Sequence, residues 1–181
     1  LLQKGLVNFL KYLDSSNVNV LVTTNLSIDV KNNPVYQELR TWKNVHWQIS
    51  FDNADRHKFE YVRHGASWAT FVENIKILQN DQQHVIAHPA YSIYCAYDIV
   101  KYHEFCLENN LDLWWCDLIH PWDLDIRKYP LEYRQRAIAE IDKVFEMYHS
   151  KPDYLHGPAR QTLLKYRVQL NSVADTEFKP D

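Results

Sequence analysis

Glycine is scarce in this chain, at 3 of 181 residues. Loops that wrap backbone amides around a phosphate need several glycines, and neither G-x-G-x-x-G nor the P-loop motif occurs. The G-x-S-x-G and H-E-x-x-H motifs are missing as well. The best-known nucleotide-binding, esterase and metalloprotease signatures are therefore excluded.

Cysteine is also scarce, and Cys95, Cys106 and Cys116 form an odd set with no C-x-x-C spacing. An odd number at such spacing argues against a disulfide framework. We expect three free thiols kept reduced, which predicts a cytoplasmic location.

An excess of charge of one sign is lacking too. The formal net charge is −3, with acidic and basic residues mixed along the chain. No basic stripe predicts a nucleic-acid partner. No apolar run is long enough for a transmembrane helix and the first residues lack a signal-peptide pattern, so we expect no membrane partner. The chain begins Leu-Leu without an initiator methionine, from which we expect a piece of a longer protein.

What the sequence does contain is an alternation of helical and strand-like segments. Apolar, partly β-branched runs predict four strands, at 18–24, 45–51, 84–92 and 111–119. Amphipathic stretches between them predict crossover helices, and this alternation is typical of a parallel sheet with right-handed βαβ units. Four such strands make half of a (β/α)₈ barrel or most of a doubly wound sheet.

Residues that typically begin or interrupt helices predict where the helices start and end. Asn33-Pro34 and Ser67 are typical helix starts, the polar stretch 53–58 is predicted to be a loop, and 121–130 an irregular loop. A long helix is predicted over 131–148 and another over 158–170. We divide the chain into a barrel-like unit over 1–150 and a C-terminal helix with a polar tail over 151–181.

The clearest candidate site lies where the second strand ends. Ser50 and Asp52 flank Phe51, and alternate strand residues point to one side, so both side chains can reach one ligand. Ligands bind at the carboxyl ends of strands in parallel α/β folds. The alternative is that Asp52 caps the following turn and Ser50 satisfies a local backbone donor.

Arg63 lies near a predicted helix start and next to Gly65. Its guanidinium can clamp a carboxylate or phosphate through two hydrogen bonds, or pair with a nearby acidic residue such as Asp52. Gly65 suggests a positive φ or a close approach of the backbone.

Histidines suggest a second, metal-based hypothesis. His88 and His120 each precede a proline near a strand end, and His46 lies near a strand start. With Asp52 and Asp117 they could form the divalent metal centre of a barrel hydrolase. Their spacings match no metal motif, and the alternative is a set of packed, hydrogen-bonded side chains.

Four segments in order resemble the radical S-adenosylmethionine (radical SAM) superfamily, in particular its twitch-containing, peptide-modifying-like branch. These segments are Thr23-Thr24-Asn25, the run 45–52, the run 59–68 and Val72-Glu73-Asn74-Ile75; residues 85–97 and 118–130 also fit. The resemblance covers roughly residues 18–145. It implies a partial (β/α) barrel, TIM-like, of which this chain supplies about four parallel strands with crossover helices.

The resemblance also implies roles for individual residues. Ser50 would lie near the ribose or methionine part of SAM, Arg63 near its carboxylate or ribose, and the backbone at Ile119 near the adenine. Asn25 would face the same cavity, and Asp52 stands beside Ser50. These five are the predicted cofactor-binding residues.

Two parts of the superfamily pattern are missing. The C-x-x-x-C-x-x-C loop that holds a [4Fe–4S] cluster does not occur, and three cysteines about ten residues apart cannot replace it on one loop. The glycine-rich strand-two motif is missing as well. We therefore expect weak SAM binding at most from this chain, and the cluster only in a full-length parent that modifies a peptide or a small molecule.

A different hypothesis is a non-catalytic α/β module that assembles with itself. A first strand with no preceding partner leaves one sheet edge open, and open edges invite pairing. We therefore predict a homo-oligomer formed through this edge.

Overall fold

The structure, a computed structural model, describes residues 5–118, 120–149 and 158–172. Its strands are β1 (Val20–Thr24), β2 (Val45–Ile49), β3 (His84–Ala87), β4 (Ala90–Tyr91), β5 (Asp112–Leu113) and β6 (Cys116–Asp117). Its helices are α1 (Leu6–Leu10), α2 (Pro34–Leu39), α3 (Arg56–Val62), α4 (Trp68–Asn80), α5 (Ile99–Glu108), α6 (Leu131–His149) and α7 (Pro158–Ser172).

The strands form a parallel sheet in the order β1-β2-β3-β5, and β4 pairs in parallel with β6 beyond it. Val20 is in register with Val45, and His46 with His84. Helices connect the successive strands β1, β2, β3 and β5. The predicted fold class, a partial barrel of about four parallel strands with crossover helices, is confirmed.

The two faces of the sheet differ in polarity. Along β2, Val45, Trp47 and Ile49 are buried in the main hydrophobic core, while His46 is exposed and Gln48 is half-buried. A strand alternates its side chains between two faces, so this pattern separates an apolar outer face from a polar inner face. The inner face is the side from which a ligand can approach the strand ends.

Two helix starts were predicted correctly, and one helix was missed. The side chain of Asn33 accepts hydrogen bonds at the start of α2, and that of Ser67 at the start of α4. The loop predicted over 53–58 is wrong, because Asp55 caps α3 there. Helix α3 buries only Phe59, so its sequence carries almost no apolar periodicity.

The predicted third strand is interrupted. Ala87 ends β3 and Ala90 begins β4, with His88 and Pro89 between them. Proline has no N–H to donate to a neighbouring strand, which explains the break in the ladder. The predicted fourth strand is divided in the same way, because β5 pairs with β3 and β6 with β4.

The last two helices pack against each other. Leu163, Tyr166 and Leu170 of α7 are buried. The buried Arg134 of α6 donates hydrogen bonds to the carbonyls of Tyr129 and Leu170, at 2.9 and 2.7 Å. The predicted boundary at 150/151 lies outside the described residues and stays a prediction. Among the helices described, none is both long and apolar enough to cross a membrane.

Candidate functional site

The carboxyl ends of β1 and β2 lie side by side. The Ser50 backbone N–H donates to the Thr24 carbonyl at 2.8 Å, which sets Asn25 and Ser50 just beyond adjacent strand ends. Asn25 is exposed, and its Oδ1 accepts from the N–H and the hydroxyl of Ser27, at 3.2 and 2.8 Å. Its side chain amide N–H₂ is thus the part that remains for a ligand.

Arg63 joins the two side chains that the sequence singled out. Its Nη2 donates to Ser50 Oγ at 3.0 Å, and its Nε lies 2.7 Å from Asp52 Oδ2. The Nε contact is an ion pair without hydrogen-bond geometry. Both charged side chains are mostly buried, at 19% and 22% exposed, so the pair is less screened than a surface pair. The predicted grouping of Ser50, Asp52 and Arg63 holds as a cluster of neighbouring side chains.

Arg63 lies between two helices. It is close to a helix start, as predicted, because Ser67 caps α4, and it also caps the carboxyl end of α3, with its N–H donating to the Phe59 carbonyl at 2.9 Å. Gly65 follows with φ +86° and open space where a Cβ would stand. Its role is therefore the positive φ rather than a close approach. This turn directs the Arg63 side chain back toward β2.

Buried polar and aromatic side chains hold the end of β2 in place. The Tyr102 hydroxyl donates to the Phe51 carbonyl at 3.0 Å, and the two rings stack with centroids 4.3 Å apart. Burial raises the pKa of Tyr102 well above its usual value, so this hydroxyl remains a donor. Asn53 is buried and donates to the Tyr94 carbonyl at 2.6 Å. Sequence reasoning missed these contacts, because the partners are 41 to 51 residues apart.

The cluster contains a positively charged, a negatively charged and a neutral polar side chain. A guanidinium binds carboxylates, a carboxylate binds ammonium groups or hydroxyls, and a serine hydroxyl does either. The half-buried positions of Ser50, Asp52 and Arg63 leave each side chain partly open to solvent. Such a set suits a zwitterionic ligand that also carries hydroxyl groups.

The histidine hypothesis of a hydrolase centre finds no support in the geometry. His88 Nδ1 donates to the Trp114 carbonyl at 2.8 Å, and the His120 ring packs against Trp122. His46 lies at the opposite end of β2. Within residues 5–118, 120–149 and 158–172, no group of three or more His, Cys, Asp or Glu side chains is placed to hold a metal ion.

The thiols do not fit an iron–sulfur cluster either. Cys95 and Cys106 are fully buried, and burial raises the pKa of both, that of Cys95 to about 12. Cys116 is half-buried, and its Sγ donates to the Pro89 carbonyl at 3.3 Å. A cluster needs thiolates that converge on iron, whereas these groups are protonated and separately packed. All three are free, as predicted.

Ile119, the fifth predicted site residue, lies outside the described residues. The neighbouring Leu118 carbonyl accepts from Arg127 Nη2 at 3.3 Å. Its assignment stays a prediction.

No protein-family model and no curated protein matches this sequence. Several solved structures, in contrast, are similar to this chain. Streptococcus suis SuiB, a peptide-modifying radical SAM enzyme, aligns at TM-score 0.56 and 15% identity over 78% of this chain and 33% of its own. The radical SAM enzyme anSMEcpe with bound AdoMet aligns at TM-score 0.56 and 8% identity, over 78% of this chain and 40% of its own.

The chain has a radical SAM-like fold. SuiB also aligns in a structure bound to S-adenosylmethionine and in one bound to the precursor peptide SuiA, both at 15% identity. At such identities the likeness establishes the fold, and it agrees with the resemblance carried by residues 18–145. The chain spans about a third of SuiB's length.

Proposed function

We propose that this chain is the SAM-facing part of a larger radical SAM-like enzyme. The observation that carries this proposal is the cluster of Ser50, Asp52 and Arg63 at the end of β2. It stands in a fold whose solved neighbours include structures bound to S-adenosylmethionine. SAM is the source of the radical that attacks substrate in such enzymes, and the protein supplies binding and orientation.

Each residue of the cluster matches a group on SAM. Arg63 would bind the methionine carboxylate, Asp52 a ribose hydroxyl or the ammonium group, and Ser50 would hydrogen-bond the same region. Asn25 would offer its amide N–H₂ from the next strand, and the backbone at Ile119 would border the adenine. We propose that this chain binds SAM weakly and does not cleave it alone, because its thiols do not form a cluster site.

Calorimetric titration with SAM tests this role. Arg63→Ala should weaken binding about tenfold or more, because a charge-assisted hydrogen bond contributes about 1.5–3 kcal/mol. Arg56→Ala is the matched control: this arginine lies on the same helix and makes an exposed pair with Glu60. No heat with the unmutated chain, or equal affinity in both variants, would remove the SAM-binding proposal.

For the full-length parent we propose a peptide substrate. The support is the SuiB structure bound to precursor peptide SuiA. Trp114 directly follows β5 and is 41% exposed, so this large apolar side chain can pack against a bound peptide. The reading frame upstream of Leu1 tests the parent: a C-x-x-x-C-x-x-C motif within about 100 residues supports it, on the length of two or three βα repeats.

The second candidate function is self-association through β1. Strand β1 is the edge of its sheet, and Leu21 on it is 58% exposed. The Val20 N–H donates to the Asn44 carbonyl at 2.8 Å, so the N–H groups of alternate residues, Leu21 and Thr23, face the free edge. Light scattering should give a dimer or larger species, and Leu21→Lys should return it to monomer. Val168→Lys on α7 is the control, and a monomeric unmutated chain defeats this candidate.

We also propose a reducing, cytoplasmic location. It rests on the free thiols of Cys95, Cys106 and Cys116.

A further inference from the structure

Two histidines face each other at the end of the sheet remote from the SAM-facing cluster. His46 and His84 are register partners on β2 and β3, and their Nδ1 atoms are 2.9 Å apart. Their rings are nearly perpendicular, with centroids 5.1 Å apart. His46 precedes Ser50 by four residues, which along a strand is about 13 Å. The pair is thus separate from the site described above.

A carboxylate contacts the second ring nitrogen of one of the two histidines. His84 Nε2 lies 2.8 Å from Asp112 Oδ2 on β5. An ionised carboxylate only accepts, so Nε2 of the neutral His84 ring carries the proton and its Nδ1 lone pair is turned toward His46. A carboxylate behind an imidazole in this way fixes the tautomer of metal-ligating histidines and makes the ring a better donor.

The separation of the two Nδ1 atoms favours particular metals. With metal–nitrogen bonds of about 2.0–2.1 Å, donors 2.9 Å apart subtend about 90° at the ion. That is the angle of neighbouring ligands in the tetragonal sites that Cu²⁺ and Ni²⁺ prefer. A tetrahedral Zn²⁺ site would need the nitrogens about 3.3 Å apart. In the structure the two Nδ1 atoms are within hydrogen-bond distance, so a bound ion would replace the proton between them, and His46 would carry its proton on Nε2 instead.

The surroundings leave room for the remaining ligands. The side chains of His84 and Asp112 are 46% and 63% exposed, and both line an open cleft of about 730 Å³. His46 does not line this cleft but is itself exposed, so water can reach both rings. Lys76 and Glu108 also line this cleft, so the site is not strongly charged.

We propose that His46 and His84 form a two-histidine binding site for a divalent late transition metal, Cu²⁺ and Ni²⁺ ahead of Zn²⁺. Asp112 orients His84 in this site. Two protein ligands and an open position make it a weaker site than a three-ligand metal centre, which agrees with the absence of any such centre from the described residues. A bound ion would tie β2 to β3 at their amino ends.

Titration of the intact chain with NiCl₂, and separately with CuCl₂ and ZnCl₂, tests the proposal. We expect one site per chain that the two histidine variants remove, with Cu²⁺ bound most tightly. His46→Ala and His84→Ala should each weaken Ni²⁺ binding at least tenfold, and Asp112→Asn about tenfold. His57→Ala and His64→Ala are the controls, because both residues are exposed and lie outside the sheet.

A second measurement keeps the result independent of folding. The electron paramagnetic resonance spectrum of the Cu²⁺ complex should show two nitrogen ligands in the unmutated chain and one in either histidine variant. Unchanged affinity in His46→Ala and His84→Ala, or the same loss in the two control variants, would overturn the site. Arg63→Ala should leave Ni²⁺ binding unchanged, so this proposal and the SAM-binding proposal fail separately.

Discussion

Arg63 Nη2 lies 3.0 Å from Ser50 Oγ, thirteen residues back along the chain and at the end of a different element. The same guanidinium pairs with Asp52. One arginine therefore holds together both side chains that project from the end of β2. The cluster is a preformed arrangement, and changes to any member should be felt by the others.

Loss of the Asp52 charge should destabilise the fold. In Asp52→Asn the mostly buried guanidinium loses its counter-charge, and we expect the free energy of unfolding to fall by about 1–2 kcal/mol in urea denaturation. Asp142→Asn breaks the more exposed pair with Arg167 and should change it by less than about 0.5 kcal/mol. Equal losses in the two variants would mean that the Asp52 pair is no better shielded than a surface pair.

Mild acid should destabilise the chain through His103. Burial lowers the pKa of His103 from 6.5 to about 3, and Trp115 Nε1 donates to its Nε2 at 3.3 Å, which requires a neutral ring. The unfolded chain takes up a proton below pH 6.5 and the folded chain does not. The contribution of His103 to the free energy of unfolding is therefore fully present above pH 6.5. It declines as pH falls toward 3, and at pH 5 the loss is about 2 kcal/mol.

Urea denaturation at pH 7 and pH 5 measures this effect. His103→Gln keeps an acceptor for the Trp115 indole but cannot titrate, so its stability should fall less between the two pH values. The same slope in both proteins would show that His103 is accessible to protons in the folded state.

The Tyr102 hydroxyl should contribute measurably to stability. Tyr102→Phe keeps the stacking on Phe51 but leaves the Phe51 carbonyl without this donor. We expect a loss of about 1–2 kcal/mol in the free energy of unfolding. Tyr61→Phe is the control, because Tyr61 is exposed, and it should be neutral. A neutral Tyr102→Phe would contradict the hydrogen bond.

Gly65 should resist substitution for a backbone reason alone. At φ +86°, Gly65→Ala costs about 1–2 kcal/mol although no atom would clash with the new methyl group. Asparagine tolerates a positive φ better, so Gly65→Asn should lie between the two in thermal denaturation. Because the turn directs Arg63, the alanine variant should also bind SAM more weakly. An alanine variant as stable as the unmutated chain would show that the turn adapts.

Local chemistry made several features predictable from sequence. The caps at Asn33 and Ser67, the parallel strands and the shared side of Ser50 and Asp52 follow from short-range rules. Helix α3 was missed because only Phe59 on it is buried. The position of Arg63 near the start of α4 was predicted, but its role at the end of α3 could not be, because that helix was not recognised.

Contacts between residues far apart along the chain could not be predicted from the sequence. His46 and His84 are 38 residues apart, and nothing in the local pattern determines which residues of two strands stand opposite each other. Tyr102 and Phe51 are 51 residues apart, and their contact depends on how α5 packs against the end of β2.

The different polarity of the two sheet faces has a consequence for how this sequence can vary. Substitutions at positions 45, 47 and 49 disturb the core. Those at positions 46 and 48 change only the inner face of the sheet. Mutational tolerance along β2 should therefore oscillate with a period of two. Tolerated changes at the even positions would alter which ligand binds without unfolding the protein. The fold can therefore be kept after the original activity is lost.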